Sequence, residues 1–316
     1  MQADKPNLAQ TKSHNFEFTD IDEFTAAMSG WDMDWRQLEA GQPKLQISVI
    51  SSRETIIQRY HFSHKVHQRG SAPDGFITFG FANPESSMNV EGSNISELGI
   101  LNFNNPDGYE SVTGSGFEGI SVSFPREKFF RLARQFKIDE RQITEGNYLF
   151  GKLGPGHNFG ALRNYLHALG RQNFESGSRE KSIDVELPHR FLSALADLKS
   201  EASIEKATAR RRGLRKALEF IDANVQNNPG IVDISLAAEI SPRSLSRAFN
   251  ERFGIGPKRY LLNLRLLNVH RQLQNSPQRS VKVADIANEW EFWHMGDFAR
   301  EYRWFFGEYP AESLNN

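Results

Sequence analysis

One pattern constrains this chain more than any other: it occurs twice in the last hundred residues. Segment 234–254, ISLAAEISPRSLSRAFNERFG, reads as a helix, a tight turn and a second helix. Leu236, Ala237 and Ile240 are spaced for one buried helical face. Ser241 suits the N-cap and Pro242 the first helical position, where the N–H that proline lacks would be unbonded anyway. Leu245, Ala248, Phe249 and Phe253 recur every three or four residues and form the buried face. Gly254 suits the left-handed residue that ends such a helix. The opposite face carries Arg243, Ser244, Ser246, Arg247 and Asn250, side chains able to donate to phosphates or base edges. Segment 283–310, VADIANEWEFWHMGDFAREYRWFFGEYP, repeats the plan. There Val283, Ile286 and Ala287 point inward, then Phe298, Tyr302 and Phe305, with Gly307 at the end and Pro310 beyond. Between the copies, GPKRYLLNLRLLNVHRQLQN is apolar nearly all round and reads as a long helix covered on both sides.

Two helix-turn-helix units on one connecting helix resemble the DNA-binding domain of the AraC/XylS family of transcription regulators. The likeness covers roughly residues 211–312. It rests on Leu236 and Ala237, on SPRSLSRAF, on FGIGPKRYLLNLRL, on IAN, and on the spacing from Phe292 through Phe298-Ala-Arg-Glu-Tyr to FGEYP. The resemblance implies two recognition helices entering successive major grooves, roughly 34 Å apart along promoter DNA. It places Arg243, Ser244, Ser246 and Arg247 on the first reader, and His294, Met295, Ala299 and Arg300 on the second. The second reader is poor in donors: Met295 and Ala299 can touch only thymine methyls, and Arg300 suits a phosphate. The chain departs from the family at Glu291, where glycine is usual, and at Gly296, where serine is common. Activation through RNA polymerase and a homodimer are further implications of the resemblance.

Charge agrees with this division. The whole chain of 316 residues has a net charge of −1. Residues 205–316 hold 17 Lys or Arg against 13 Asp or Glu, so the C-terminal part is basic and the remainder acidic. With no cysteine, disulfides and thiolate metal sites are excluded. No apolar run approaches the roughly 20 residues of a bilayer span, and MQADKPNLAQTKSH lacks the apolar core of a signal peptide. The expectation is a soluble cytoplasmic protein.

The N-terminal part has a different character. Residues 1–14 read as disordered. FTDIDEFTAAMSGW predicts a short helix capped by Asp20 or Asp22, with Phe24, Ala27 and Met28 inward. PKLQISVISSRETIIQRYHFS, GFITFGFANP, ELGILNFNN and GISVSFP are strand-like runs bounded by turn residues. They predict an antiparallel β-barrel or jelly roll, and the family resemblance implies a cupin-like sensing domain here. PREKFFRLARQF is amphipathic, and two more helices follow near 155–170 and 184–198. The fold class is therefore α+β. A regulatory and dimerisation domain spans residues 1–200, a linker 201–210, and the all-α DNA-binding domain 211–316.

A ligand motif lies within the sensing domain. Lys65 and Arg69 are four apart, and Asn94, Ser96 and Gly99 follow about 25 residues later. This resembles the cyclic di-GMP signature of PilZ domains, which carry arginine where this chain has Lys65. Arg69 suits a phosphate or a guanine edge, Asn94 and Ser96 suit the guanine's polar edge, and Gly99 allows close approach. Arg59 and His67 are further candidates near that loop. The resemblance implies the cyclic di-GMP-responsive type of AraC-like regulator; another small metabolite or a protein partner fits the fold as well. A cupin enzyme is the rival of another class and would need a metal cluster. His61 and His67 share one face of a strand and His64 the other, so the three do not converge. Neither a nucleophile elbow nor a P-loop is present. No enzyme activity, catalytic residue, metal or resident cofactor is expected.

Overall fold

The computed structural model describes residues 12–314 apart from 29, 84, 91, 96–99, 107, 145–147, 150–156, 170–179, 198–208 and 277–280. Its N-terminal part is a sandwich of two antiparallel sheets. The larger runs β1 (Lys12–Phe18), β3 (Leu45–Ser51), β4 (Ile56–Phe62), β11 (Phe117–Pro125), β6 (Phe76–Ala82), β9 (Ile100–Asn102) and β12 (Tyr148–Leu149). The smaller runs β2 (Asp32–Gln37), β5 (Val66–Ser71), β10 (Tyr109–Thr113), β7 (Met88–Val90) and β8 (Ser93–Ile95). Leu45, Ile47, Phe62 and Phe117 from the larger sheet share one core with Met33, Trp35, Val66 and Val112 from the smaller. Helix α1 (Ile21–Ala27) closes one end. Its Phe24 meets Trp35 and Phe62 edge-on, with ring centroids 5.3 and 5.5 Å away. Each such buried ring contributes roughly 2–3 kcal/mol.

The other face of the larger sheet is covered by α2 (Arg126–Gln135), α4 (His157–Leu169) and α5 (Glu180–Asp197), with α3 (Glu140–Thr144) beside them. Phe79, Phe81 and Phe124 of the sheet pack on Phe129, Phe159 and Phe191 of these helices. A strand covered on both faces needs no polar alternation, which is why β6 reads FITFGFA.

The C-terminal part is helical: α6 (Ala209–Asn224), α7 (Ile231–Ala237), α8 (Pro242–Phe253), α9 (Pro257–Gln274), α10 (Val283–Glu289), α11 (Met295–Phe306) and α12 (Pro310–Ser313). The two helix-turn-helix units are α7–α8 and α10–α11, and α9 is the buried rod between them. Their turns are copies. Ile240 N–H donates to Ser235 in the first and Phe292 N–H to Ala287 in the second, at 3.2 and 2.9 Å. Each turn holds a glutamate in the left-handed region, Glu239 at φ 56° and Glu291 at φ 63°. Gly254 and Gly307 end the second helices at φ 73° and 82°.

Several expectations are corrected. Residues 12–14 are ordered in β1, because β3 offers them an edge to pair with. In α1 it is Ile21 that turns inward, while Ala27 is exposed. In α7 the buried side is Ile234, Ser235 and Ala238, and Leu236 is 71% exposed. The helix is rotated because its left-handed turn at Glu239 fixes which residues face α8. His61, His64 and His67 do not share a strand: His61 lies in β4 of the larger sheet, His67 in β5 of the smaller, and the chain crosses between sheets at His64. Helix α6 begins at Ala209, inside the expected linker. Nor does a tether alone join the two parts: one hydrophobic cluster runs from Leu45 and Trp35 through Phe253 and Tyr260 to Phe305.

Candidate nucleic-acid interface

Helix α8 is built as the sequence requires. Ser241 caps it by accepting from the Ser244 N–H at 3.2 Å, Pro242 opens it and Gly254 closes it. Leu245, Ala248, Phe249 and Phe253 are buried. This packing turns Arg243 and Arg247 fully outward, with Ser244 and Ser246 half-exposed beside them. Arg247 pairs with Glu251 at 2.7 Å on the exposed face, and Arg243 has no partner among the described residues. A solvent-exposed pair of this kind is worth less than about 1 kcal/mol, so a phosphate or guanine can displace Glu251.

Helix α11 repeats the arrangement. Phe298, Tyr302 and Phe305 are buried, while His294 and Arg300 are exposed and Met295 and Ala299 half-exposed. Arg300 pairs with Asp297 at 2.6 Å. Of the eight residues expected on the two readers, Arg243, Arg247, His294 and Arg300 are exposed and Ser244, Ser246, Met295 and Ala299 half-exposed, Met295 packing partly against the core. The sequence reading overlooked the continuation of that second face. Arg303, Trp304 and Tyr309 join Gly296, Ala299 and Arg300 around one open groove. The Arg303 guanidinium stacks 4.6 Å from the Tyr309 ring centre, and Arg259 from the rod lies 4.0 Å from Trp304. The signal was available: Arg303 and Trp304 follow Arg300 by three and four residues. The second turn is held from behind by Arg265 of the rod, whose guanidinium donates to the Trp290 carbonyl and lies over Phe292. Burial lowers the Arg265 pKa to about 10.

Of the ligand-motif residues, Arg69 and Asn94 fall on strands of the smaller sheet. Lys65 lies just before β5 and pairs with Glu39 at 3.7 Å; Arg69 lies within β5 and donates to Asp222 of α6 at 2.9 Å. Asn94 is in β8, opposite Asn89 in register. Ser96 and Gly99 lie outside the described residues. Arg59 donates to the Leu166 carbonyl at 3.0 Å, on the helix-covered sheet. His67 is buried between the two parts of the molecule. Inside the sandwich, Trp31, Trp35, Tyr60, Phe62, Gln68 and Phe103 line an apolar space of about 30 Å³, room for a water or two and not for a dinucleotide. Among the described residues no group of His, Asp and Glu is placed to hold a metal ion.

Comparison with known proteins bears on the helical part. Residues 234–316 match the family model described as a helix-turn-helix domain. The XylDLEGF operon transcriptional activator 1 of Pseudomonas putida is 30% identical over 196 residues, 60% of this chain and 60% of the relative. Residues 234–316 form a helix-turn-helix domain. The probable thc operon regulatory protein of Rhodococcus erythropolis is 32% identical over 101 residues, 32% of this chain and 30% of that one. The chain thus spans three fifths or less of the length of these two curated relatives, which are named as regulators rather than enzymes. Among solved structures, the AraC-like transcriptional activator CuxR is similar at a TM-score of 0.45 and 13% identity, over 83% of this chain and 96% of that one. No helix of the described residues is long and apolar enough to cross a membrane.

Proposed function

We propose that the chain is a sequence-specific, double-stranded-DNA-binding transcription regulator whose sandwich domain senses an effector. The observation that carries this reading is the repeated geometry. Two helices entered by the same turn, ended by the same left-handed glycine and carrying an outward polar face are joined by one buried rod. Arg243 and Arg247 on α8 read bases, and the Arg300–Arg303 face of α11 holds phosphates, with Met295 and Ala299 against thymine methyls. The test is Arg247→Ala in gel shifts on the promoters adjoining the protein's own gene. A lost guanine contact weakens binding by about 1–3 kcal/mol and relaxes preference at one base pair. A loss that is equal on every sequence makes Arg247 a phosphate contact, and no loss removes it from the interface.

Promoter activation through RNA polymerase and dimer formation belong to the same reading, by likeness to the named activators. The effector reading rests on the smaller sheet. Arg69 in β5 and Asn94 in β8 are three strand spacings apart, about 14 Å. A cyclic dinucleotide such as cyclic di-GMP is large enough to span that distance, but the helical domain covers β5, so binding there requires that domain to move away; Lys65, Ser96 and Gly99 are the other residues of the motif. Arg69 would exchange Asp222 for a phosphate. Calorimetry of cyclic di-GMP with the full chain tests this. Heat that disappears in Arg69→Ala supports the site, and no heat from the wild type leaves a different small molecule or a protein as the effector.

A further inference from the structure

The outer face of β2 and β5 is not open. The helical domain lies on it, and the contact is a charged network, buried at His67 and Arg252 and half-buried at Arg69 and Asp222. Antiparallel register pairs Asp34 with Arg69, Trp35 with Gln68 and Arg36 with His67. Strand alternation sends Trp35 and Gln68 into the sandwich. It sends Asp34, Arg36, His67 and Arg69 toward the helices. Asp222 of α6 takes both arginines, Arg36 at 2.8 Å and Arg69 at 2.9 Å, one on each carboxylate oxygen. Arg36 also holds Asp34 and donates to the Tyr260 hydroxyl of α9 at 3.1 Å. That hydroxyl donates to His67 Nδ1 at 3.0 Å, and His67 Nε2 donates to Glu110 of β10 at 3.2 Å. Arg252, on the inner end of α8, closes the network on Glu110 at 3.4 Å and Asn89 at 2.5 Å. Three cations thus face three carboxylates, with the imidazole neutral between them. Further along, Asn263 and His270 of the rod bond to the Leu38 carbonyl and to Asp20 at 3.1 and 2.7 Å. The Gly41 N–H donates to the Phe305 carbonyl of α11 at 2.9 Å.

The sandwich therefore grips the first unit, the rod and the second unit at once. The faces that point away from it, Arg243 and Arg247 on α8 and Arg300 on α11, stay exposed in this arrangement. We propose that the β2–β5 face is a splint that sets the angle between the two DNA readers, with Asp222 as its positioning residue. The proposal rests on the DNA-binding reading. Arg36 is the more buried of the two arginines, so removing the Asp222 carboxylate leaves chiefly its charge without that partner. Asp222→Asn removes the carboxylate that ties both sheet arginines to α6 and leaves each reader's own cap and turn untouched.

The experiment compares full-length wild type, Asp222→Asn and Asp222→Glu on two duplexes. One carries both reader segments of a selected site; in the other the segment facing α11 is scrambled. Folding is checked by circular dichroism, and the arrangement by solution X-ray scattering. Asp222→Asn is expected to bind the complete site at least fivefold more weakly, with little change on the scrambled one, and to have a larger radius of gyration. Asp222→Glu is expected to recover part of the loss. An equal ratio of affinities in all three proteins overturns the splint, as does tighter binding by Asp222→Asn, which would make the contact inhibitory. An unchanged radius of gyration also counts against it. A wild type that enriches no duplex removes the DNA reading itself, a result distinct from an unchanged ratio.

Discussion

Glu291 shows what a single residue can reveal. It sits at φ 63° in the turn before the second reader, where a side chain costs about 1–2 kcal/mol relative to glycine. Among the described residues its carboxylate accepts from the exposed Trp293 ring at 3.0 Å, and its charge gives some support to the Arg265 guanidinium behind the turn. Glu291→Gly is therefore expected to raise the unfolding free energy by about 1 kcal/mol in urea denaturation, and to tighten DNA binding by removing a negative charge. A destabilised variant would show that the turn relies on the carboxylate. His67 offers a second test. Burial lowers its pKa, opposed by Glu110, while Arg36 and Arg252 add to the lowering and the hydroxyl of Tyr260 completes its surroundings. A depressed folded pKa means that the unfolded chain takes the proton first, below about 6.5. The stability His67 supports is thus present above pH 6.5 and lost progressively as pH falls below it. His67→Gln should flatten the stability profile in that window. The next loss lies lower. Burial alone would raise the Glu110 carboxyl, but the His67 hydrogen bond and the Arg252 charge hold it at about 2, so its contribution fades between pH 4.5 and 2. A wild-type profile that His67→Gln leaves unchanged below pH 6.5 would contradict the assignment of His67 as buried and neutral.

Among elements, β5 bears the tightest constraint. Gly70 has φ 145°, and a Cβ there would lie 1.9 Å from the Asp32 carbonyl oxygen of β2. Gly70→Ala must therefore push β2 away or fail to pair, at a cost of at least about 3 kcal/mol in denaturant titration. A cost under 1 kcal/mol would mean that the strand pair tolerates separation. The elements also show what the sequence made legible. Caps and periodicity in SPRSLSRAF and FFGEYP are local, so both readers and their ends could be placed from the residues alone. The apolar spacing of Leu236 was misleading, because a seven-residue helix is oriented by its neighbours more than by its own pattern. Nothing local marks Arg36, Asp222, Glu110 or Arg252 as partners: Arg36 and Asp222 are 186 residues apart. Arg252 reads as a surface residue of an amphipathic helix, yet it is 6% exposed. Arg69 was found for its chemistry, and the structure adds the carboxylate that it holds.

For the whole molecule, the sandwich and the helical readers form one body through a shared core and a charged seam. A molecule built this way presents two outward helices at a fixed separation, and on the proposed reading DNA supplies the ruler. Selection of duplexes from a random pool by the full-length chain, followed by hydroxyl-radical footprinting of the enriched sequence, tests this most directly. Two protected segments are expected on one face, about 10 base pairs between centres, with base preference stronger in the segment facing α8. No enrichment, or a single protected segment, would contradict it.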